Sequence, residues 1–190
     1  MPLSEILRYN EEFVASKEYE TYHTDKFPTK KMVILSCMDT RLIELLPKAM
    51  GLKNGDAKII KNAGAIVKQP FGSIMRSILV AIYALKAEDV YVIGHHECGM
   101  TGLECGPLLD SMKDRGITQE MIEVLSHSGI NLEGWLKGFK SVKEGVENSV
   151  EMIQNHPLLP KGTPVHGLII DPDTGKLDLV VDGYANTVNA

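Results

Sequence analysis

Cysteine is scarce in this 190-residue chain, which has three, an odd number and too few for a disulfide scaffold. Metal binding, thiol chemistry or plain burial remain open to them. No apolar run approaches the roughly 20 residues that a bilayer-crossing helix needs, so no membrane partner is expected. The opening Met1-Pro2-Leu3-Ser4-Glu5 lacks the basic region and apolar stretch of a secretory signal, and the expected location is the cytoplasm. Positive charge is not in excess either. Twenty Lys and Arg stand against 25 Asp and Glu, a formal net charge of -5, which argues against nucleic-acid partners. No glycine-rich phosphate loop follows the first strand candidate, so a nucleotide-binding reading fails. What is present is an ordinary globular balance, 44% hydrophobic and 24% charged, in a chain long enough for a core without covalent staples.

The organisation reads as α/β. A helix-compatible arm runs from Ser4 to about Tyr22, with Ile6, Leu7, Phe13 and Val14 at helical spacings. Such an arm either packs on its own core or clasps a second subunit. After the break at Phe27-Pro28-Thr29 comes Met32 to Ser36, a continuous apolar run of the kind a parallel sheet buries on both faces. Ala57 to Ile60 and Val90 to Ile93 are two further strand candidates, with helical stretches between. One of these, Ser73 to Lys86, carries Ile74, Ile78, Ala81, Ile82 and Leu85 on one face.

From Pro107 to His156 the pattern predicts three or four short helices interrupted by Gly116, Gly129 and Gly134, the last helix over 141–155. Val165 to Asp171 is another strand. Pro172-Asp173-Thr174-Gly175 then turns the chain so that 176–181 returns as an antiparallel edge. The expected fold is a central, mostly parallel sheet with an antiparallel edge strand, flanked by helices, plus the N-terminal helical arm. It is read as one domain over 1–190, comprising the arm 1–27, a metal-binding α/β core 28–106, a helical segment 107–156 and C-terminal strands 157–190.

Chemistry concentrates at the carboxyl ends of strands, where ligand sites in such sheets lie. Cys37-Met38-Asp39-Thr40-Arg41 closes the first run and His95-His96-Glu97-Cys98-Gly99 the third. Cys37, His95 and Cys98 together offer two thiolates and an imidazole, a donor set suited to tetrahedral Zn²⁺. No fourth Cys or His has motif spacing, and Cys105 is offset. Asp39 is able to bind the metal or to accept a hydrogen bond from its water, and Arg41 is placed to hold that carboxylate through a bidentate pair.

Cys37-x-Asp39-x-Arg41, then Asn62-Ala63-Gly64, then His95-x-x-Cys98-Gly99 resembles the β-class carbonic anhydrases, in their compact prokaryotic branch, from about Met32 to near Val181. The resemblance implies that Cys37, His95 and Cys98 bind zinc. It also implies that Asp39 and Arg41 form the catalytic dyad, with Asp39 a fourth ligand in a closed state of some members. The implied reaction is reversible hydration of CO2 to bicarbonate by metal-bound hydroxide. The implied assembly is a homodimer or a multiple of dimers, the N-terminal helix embracing a neighbour. His96 departs from the small hydroxyl residue frequent in relatives, and Ala65 from Asn or Gly. Relatives with the same ligand set hydrolyse carbonyl sulfide or carbon disulfide, and a zinc-stabilised binding protein or a cysteine hydrolase using Cys37 are further alternatives. His23, His127, His156 and His166 read as surface or structural residues. Gly94 and Gly99 are expected at tight turns.

Overall fold

The computed structural model describes residues 1–186; positions 187–190 of the C-terminal segment lie outside the described residues. Five strands form one sheet: β1 Met32–Cys37, β2 Ala57–Asn62, β3 Asp89–His95, β4 Val165–Ile170 and β5 Leu177–Val181. Their order is β2-β1-β3-β4-β5, parallel throughout except for the antiparallel β4–β5 pair. The apolar runs end up where their composition directs them. β1 and β3 are central and nearly wholly buried, whereas β2, which carries Lys58 and Lys61, is an edge strand, part-buried and part-exposed. The β4–β5 turn forms because Asp171 Oδ1 accepts from the Asp173 and Thr174 amides, and Gly175 follows at φ 74°.

The helices are α1 Leu3–Ala15, α2 Leu42–Ala49, α3 Ser73–Tyr83, α4 Cys105–Lys113, α5 Gln119–His127, α6 Leu132–Leu136 and α7 Val142–Gln154. α7 begins where Ser141 Oγ accepts from the Glu144 amide, while Glu144 reaches back to the Lys140 amide. It then lies across β3 and β4. This explains Gly94, which sits in a strand rather than at the expected turn. A Cβ there would come within 2.8 Å of Val142 and 2.9 Å of Val146, so α7 can pack closely only over glycine. Gly99 does lie in a turn, closed by the Thr101 amide donating to the Cys98 carbonyl at 2.9 Å, but with open space around it and no left-handed φ the turn does not require glycine.

Three further details differ from the sequence reading. The arm is not one helix to Tyr22. It stops at Ala15, Lys17 turns left-handed (φ 60°), and Glu18–Tyr22 forms a 3-10 turn. Ser16 Oγ bonds both the Phe13 carbonyl and Glu18, a local competitor to helix propagation. In α3 the inward face is Met75, Ile78 and Ala81, and Leu85 lies past the helix end. Gly134 sits inside α6 instead of breaking it. His156 and His166 are buried side chains, structural rather than surface residues. No helix among the described residues is long and apolar enough to cross a membrane.

Candidate metal centre

β1 and β3 are neighbours in parallel register, Ser36 opposite Ile93. Their carboxyl ends therefore deliver Cys37 and His95 side by side. The chain then doubles back through Glu97, a non-glycine residue at φ 56°, and brings Cys98 over the same point. The ligand atoms of Cys37, His95 and Cys98 lie within 4.8 Å of one another, and the two sulfurs are 4.0 Å apart. All three side chains are buried.

The donor set fits zinc. Tetrahedral Zn–S bonds of about 2.3 Å place two sulfurs about 3.8 Å apart, close to what is seen. His95 is 1% exposed, and its Nδ1 is 2.7 Å from the His96 carbonyl oxygen, which can only accept. Nδ1 therefore carries the proton, and Nε2 turns a lone pair towards the sulfurs. That buried Nε2 has no hydrogen-bond partner, the state of a nitrogen whose partner is a cation.

Asp39 and Arg41 stand at the rim, in the loop leading to α2. Arg41 Nε and Nη2 each donate to one oxygen of Asp39 at 3.0 Å, and the Arg41 amide adds a third bond at 2.9 Å. Asp39 Oδ2 is nonetheless only 3.7 Å from His95 Nε2. The Arg41 hydrogen bonds hold the Asp39 carboxyl down at a pKa of about 2. Burial pushes the Cys37 thiol up, but the adjacent His95 imidazole and hydrogen bonds from the Gly64 and Asp39 amides outweigh it and bring its pKa to about 7. Burial, aided by the neighbouring Cys37 charge, drives Cys98 up to about 11. His95 is raised, first by the adjacent Cys37.

Three contacts are invisible to motif reading. Glu97 Oε2 accepts from Arg41 Nη1 at 3.5 Å, Lys61 Nζ donates to the Cys37 carbonyl at 3.0 Å, and the Gly64 amide donates to Cys37 Sγ at 3.4 Å. The Asn62-Ala63-Gly64 motif was the only sequence signal for the last of these. His96 lends its carbonyl to His95, while its exposed imidazole lies 3.8 Å from Asp178 on β5. Cys105 is buried at the start of α4 and is not among the clustered ligands.

A mostly parallel sheet with a Cys2His cluster at two adjacent strand ends defines a zinc-dependent α/β protein. Comparison with known proteins supplies the family. The carbonic anhydrase family profile matches residues 32–177. The Bacillus subtilis protein named "Putative carbonic anhydrase YvdA" is 62% identical over 182 residues, covering 96% of this chain and 92% of that protein. The crystal structure of β-carbonic anhydrase isoform I from Trichomonas vaginalis superposes with a TM-score of 0.87 at 34% identity, covering 97% of this chain and all of that one. A carbon disulfide hydrolase of Acidithiobacillus thiooxidans is 28% identical over 156 residues, 78% of this chain and 76% of that protein. The chain belongs to the β-class carbonic anhydrase family.

Proposed function

We propose that this chain is a cytoplasmic zinc lyase that catalyses the reversible hydration of carbon dioxide to bicarbonate. One observation carries the reading: the buried Cys37–His95–Cys98 cluster has a carboxylate at its rim that Arg41 holds rather than leaving it free to close the site. Cys37, His95 and Cys98 hold the zinc. Bound there, the ion is a Lewis acid that lowers the pKa of a coordinated water towards neutrality. The two thiolates balance its formal charge, and His95 is aimed by its Nδ1 bond to His96.

Asp39 and Arg41 are the catalytic pair. A carboxyl held at about 2 is an anion at any physiological pH, so Asp39 acts as a fixed acceptor and not as an acid. Its Oδ2 accepts a hydrogen bond from the attacking water, which aims the oxygen lone pair at the carbon of CO2. Arg41 keeps the carboxylate in place with two side-chain bonds, one to each oxygen, and Glu97 steadies the far side of the guanidinium. Water and CO2 yield bicarbonate and one proton, which passes to solvent or buffer.

Two exposed features support a homodimer or a multiple of dimers. α1 buries none of its own residues and presents Leu3, Ile6, Leu7 and Val14 to the outside. The edge strand β2 exposes Ile59, with Ile43 of α2 also exposed. One uninterrupted sheet from 32 to 181 supports a single domain, the arm being its extension.

The test is metal content alongside stopped-flow CO2 hydration, from mildly acid to alkaline pH. Zinc-replete protein that hydrates CO2 at no pH would overturn the reading. Likeness to a carbon disulfide hydrolase favours one second reading, hydrolysis of CS2 or COS. Sulfide release from either compound, without CO2 hydration, would establish it.

A further inference from the structure

The Asn62-Ala63-Gly64 motif has no place in the ligand set or the dyad, yet its geometry converges on the metal centre. Asn62 ends β2 opposite Cys37. Its side-chain amide forms a closed pair of bonds across the following turn: Nδ2 donates to the Ile66 carbonyl at 2.7 Å, and Oδ1 accepts from the Ile66 amide at 3.1 Å. The enclosed turn carries two successive left-handed residues, Gly64 at φ 84° and Ala65 at φ 54°. Ala65 adopts this costly conformation while fully buried. What the turn achieves is the placement of the Gly64 amide 3.4 Å from Cys37 Sγ.

We infer that Asn62 is a positioning residue for the metal centre, clamping the 63–65 turn so that the Gly64 N–H is a fixed hydrogen-bond donor to the Cys37 thiolate. This rests on the reading that Cys37, His95 and Cys98 hold zinc. The other amide donors to these sulfurs, Asp39 to Cys37 and Met100 to Cys98, lie two residues beyond their own cysteine and come with the local loop. The Gly64 donor crosses from another strand, so it needs a device to hold it. Met100 and Phe139 pack against the turn, their side chains 3.0 Å from where a Cβ on Gly64 would sit, while its two ends are joined through Asn62. A hydrogen bond to a thiolate withdraws charge from sulfur and fixes its lone pairs. It therefore stabilises the deprotonated ligand against protonation and loss of metal.

The direct test needs no mutation. Protein loaded with the magnetically active cadmium isotope is examined by proton–cadmium correlation NMR, and a cross-peak between cadmium and the Gly64 amide proton is expected through the N–H···S bond. In Asn62→Ala that peak should vanish, and zinc affinity, measured by chelator competition, should fall roughly 10- to 100-fold. Asn62→Asp provides a second variant. It keeps the acceptor for the Ile66 amide, so the turn can still form, but sets a carboxylate oxygen against the Ile66 carbonyl, and the peak should weaken with the affinity. In the cobalt-substituted protein the thiolate-to-metal charge-transfer band should shift in both variants, which a merely structural asparagine would not cause. Cysteine β-proton couplings to cadmium without a Gly64 coupling, or wild-type zinc affinity in both variants, would overturn the inference and leave the zinc reading intact. Absence of coupling to Cys37 and Cys98 as well would overturn the zinc reading itself, and this inference with it.

Discussion

Arg41 grips Asp39 with two parallel hydrogen bonds of 3.0 Å, one to each carboxylate oxygen, although that carboxylate lies only 3.7 Å from the metal-facing nitrogen of His95. In the proposed mechanism the arginine thereby keeps an anion next to the metal site without letting it become a ligand. A bidentate guanidinium–carboxylate pair is strong enough for this because both partners are charged and their geometries match.

Removing either partner should therefore cost activity but not zinc. Asp39→Asn loses the charged acceptor and should lower CO2 hydration about 100-fold or more at every pH. Arg41→Ala frees Asp39 to turn towards the metal and should impair hydration with about one zinc per chain retained. The sign of the pH effect follows from the depressed pKa. Asp39 is at about 2 in the folded chain, against about 3.9 unfolded. Its contribution to stability is thus present above about pH 4 and lost as pH falls through about 2. The dyad does not titrate near neutrality, so any alkaline rise in rate belongs to the metal centre. Wild-type rates in Arg41→Ala over the whole range would reduce the pair to a structural salt bridge.

Metal content separates the three cysteines. Purified protein should hold about one zinc per chain, Cys98→Ser should lose most of it, and Cys105→Ser should keep it. Equal loss in both variants, read by atomic absorption, would show the ligand set to be wrong.

The metal-free chain should reveal unequal thiols. Cys37, at about 7, becomes a thiolate as pH rises through neutrality, whereas Cys98, at about 11, stays protonated until strongly alkaline conditions. Brief alkylation of stripped protein near neutral pH, followed by peptide mass spectrometry, should label Cys37 before Cys98. Prior zinc addition should protect both. Faster labelling of Cys98 would contradict the hydrogen bonding described for Cys37.

The arm supplies a test of assembly. Deleting residues 1–27 removes α1 with its outward Leu3, Ile6, Leu7 and Val14. Sedimentation should show a weakened dimer, or aggregation where the partner's covered surface becomes exposed. A full-length chain that sediments as a monomer at micromolar concentration would remove the basis for this proposal.

Periodicity and punctuation determined the fold to a large extent. A continuous apolar run marked β1 as a strand buried on both faces, shorter runs marked β2 and β3 as strands, and Pro172 to Gly175 announced the hairpin, because burial and turn chemistry act within a few residues. The same locality made Cys37, Asp39, Arg41, His95 and Cys98 legible, since each lies at a strand end. Tertiary structure alone decided what depends on neighbours distant in sequence. Gly94 is glycine because α7 crosses β3 there, not because the chain turns. Cys37 and Cys98, 61 residues apart, bring their sulfurs to 4.0 Å only because β1 and β3 are neighbours. Glu97 reaches Arg41 across 56 residues, and Gly64 reaches Cys37 across 27. A sequence orders residues along one dimension, and a hydrogen bond's distance and direction exist only once strands from separate segments are set side by side.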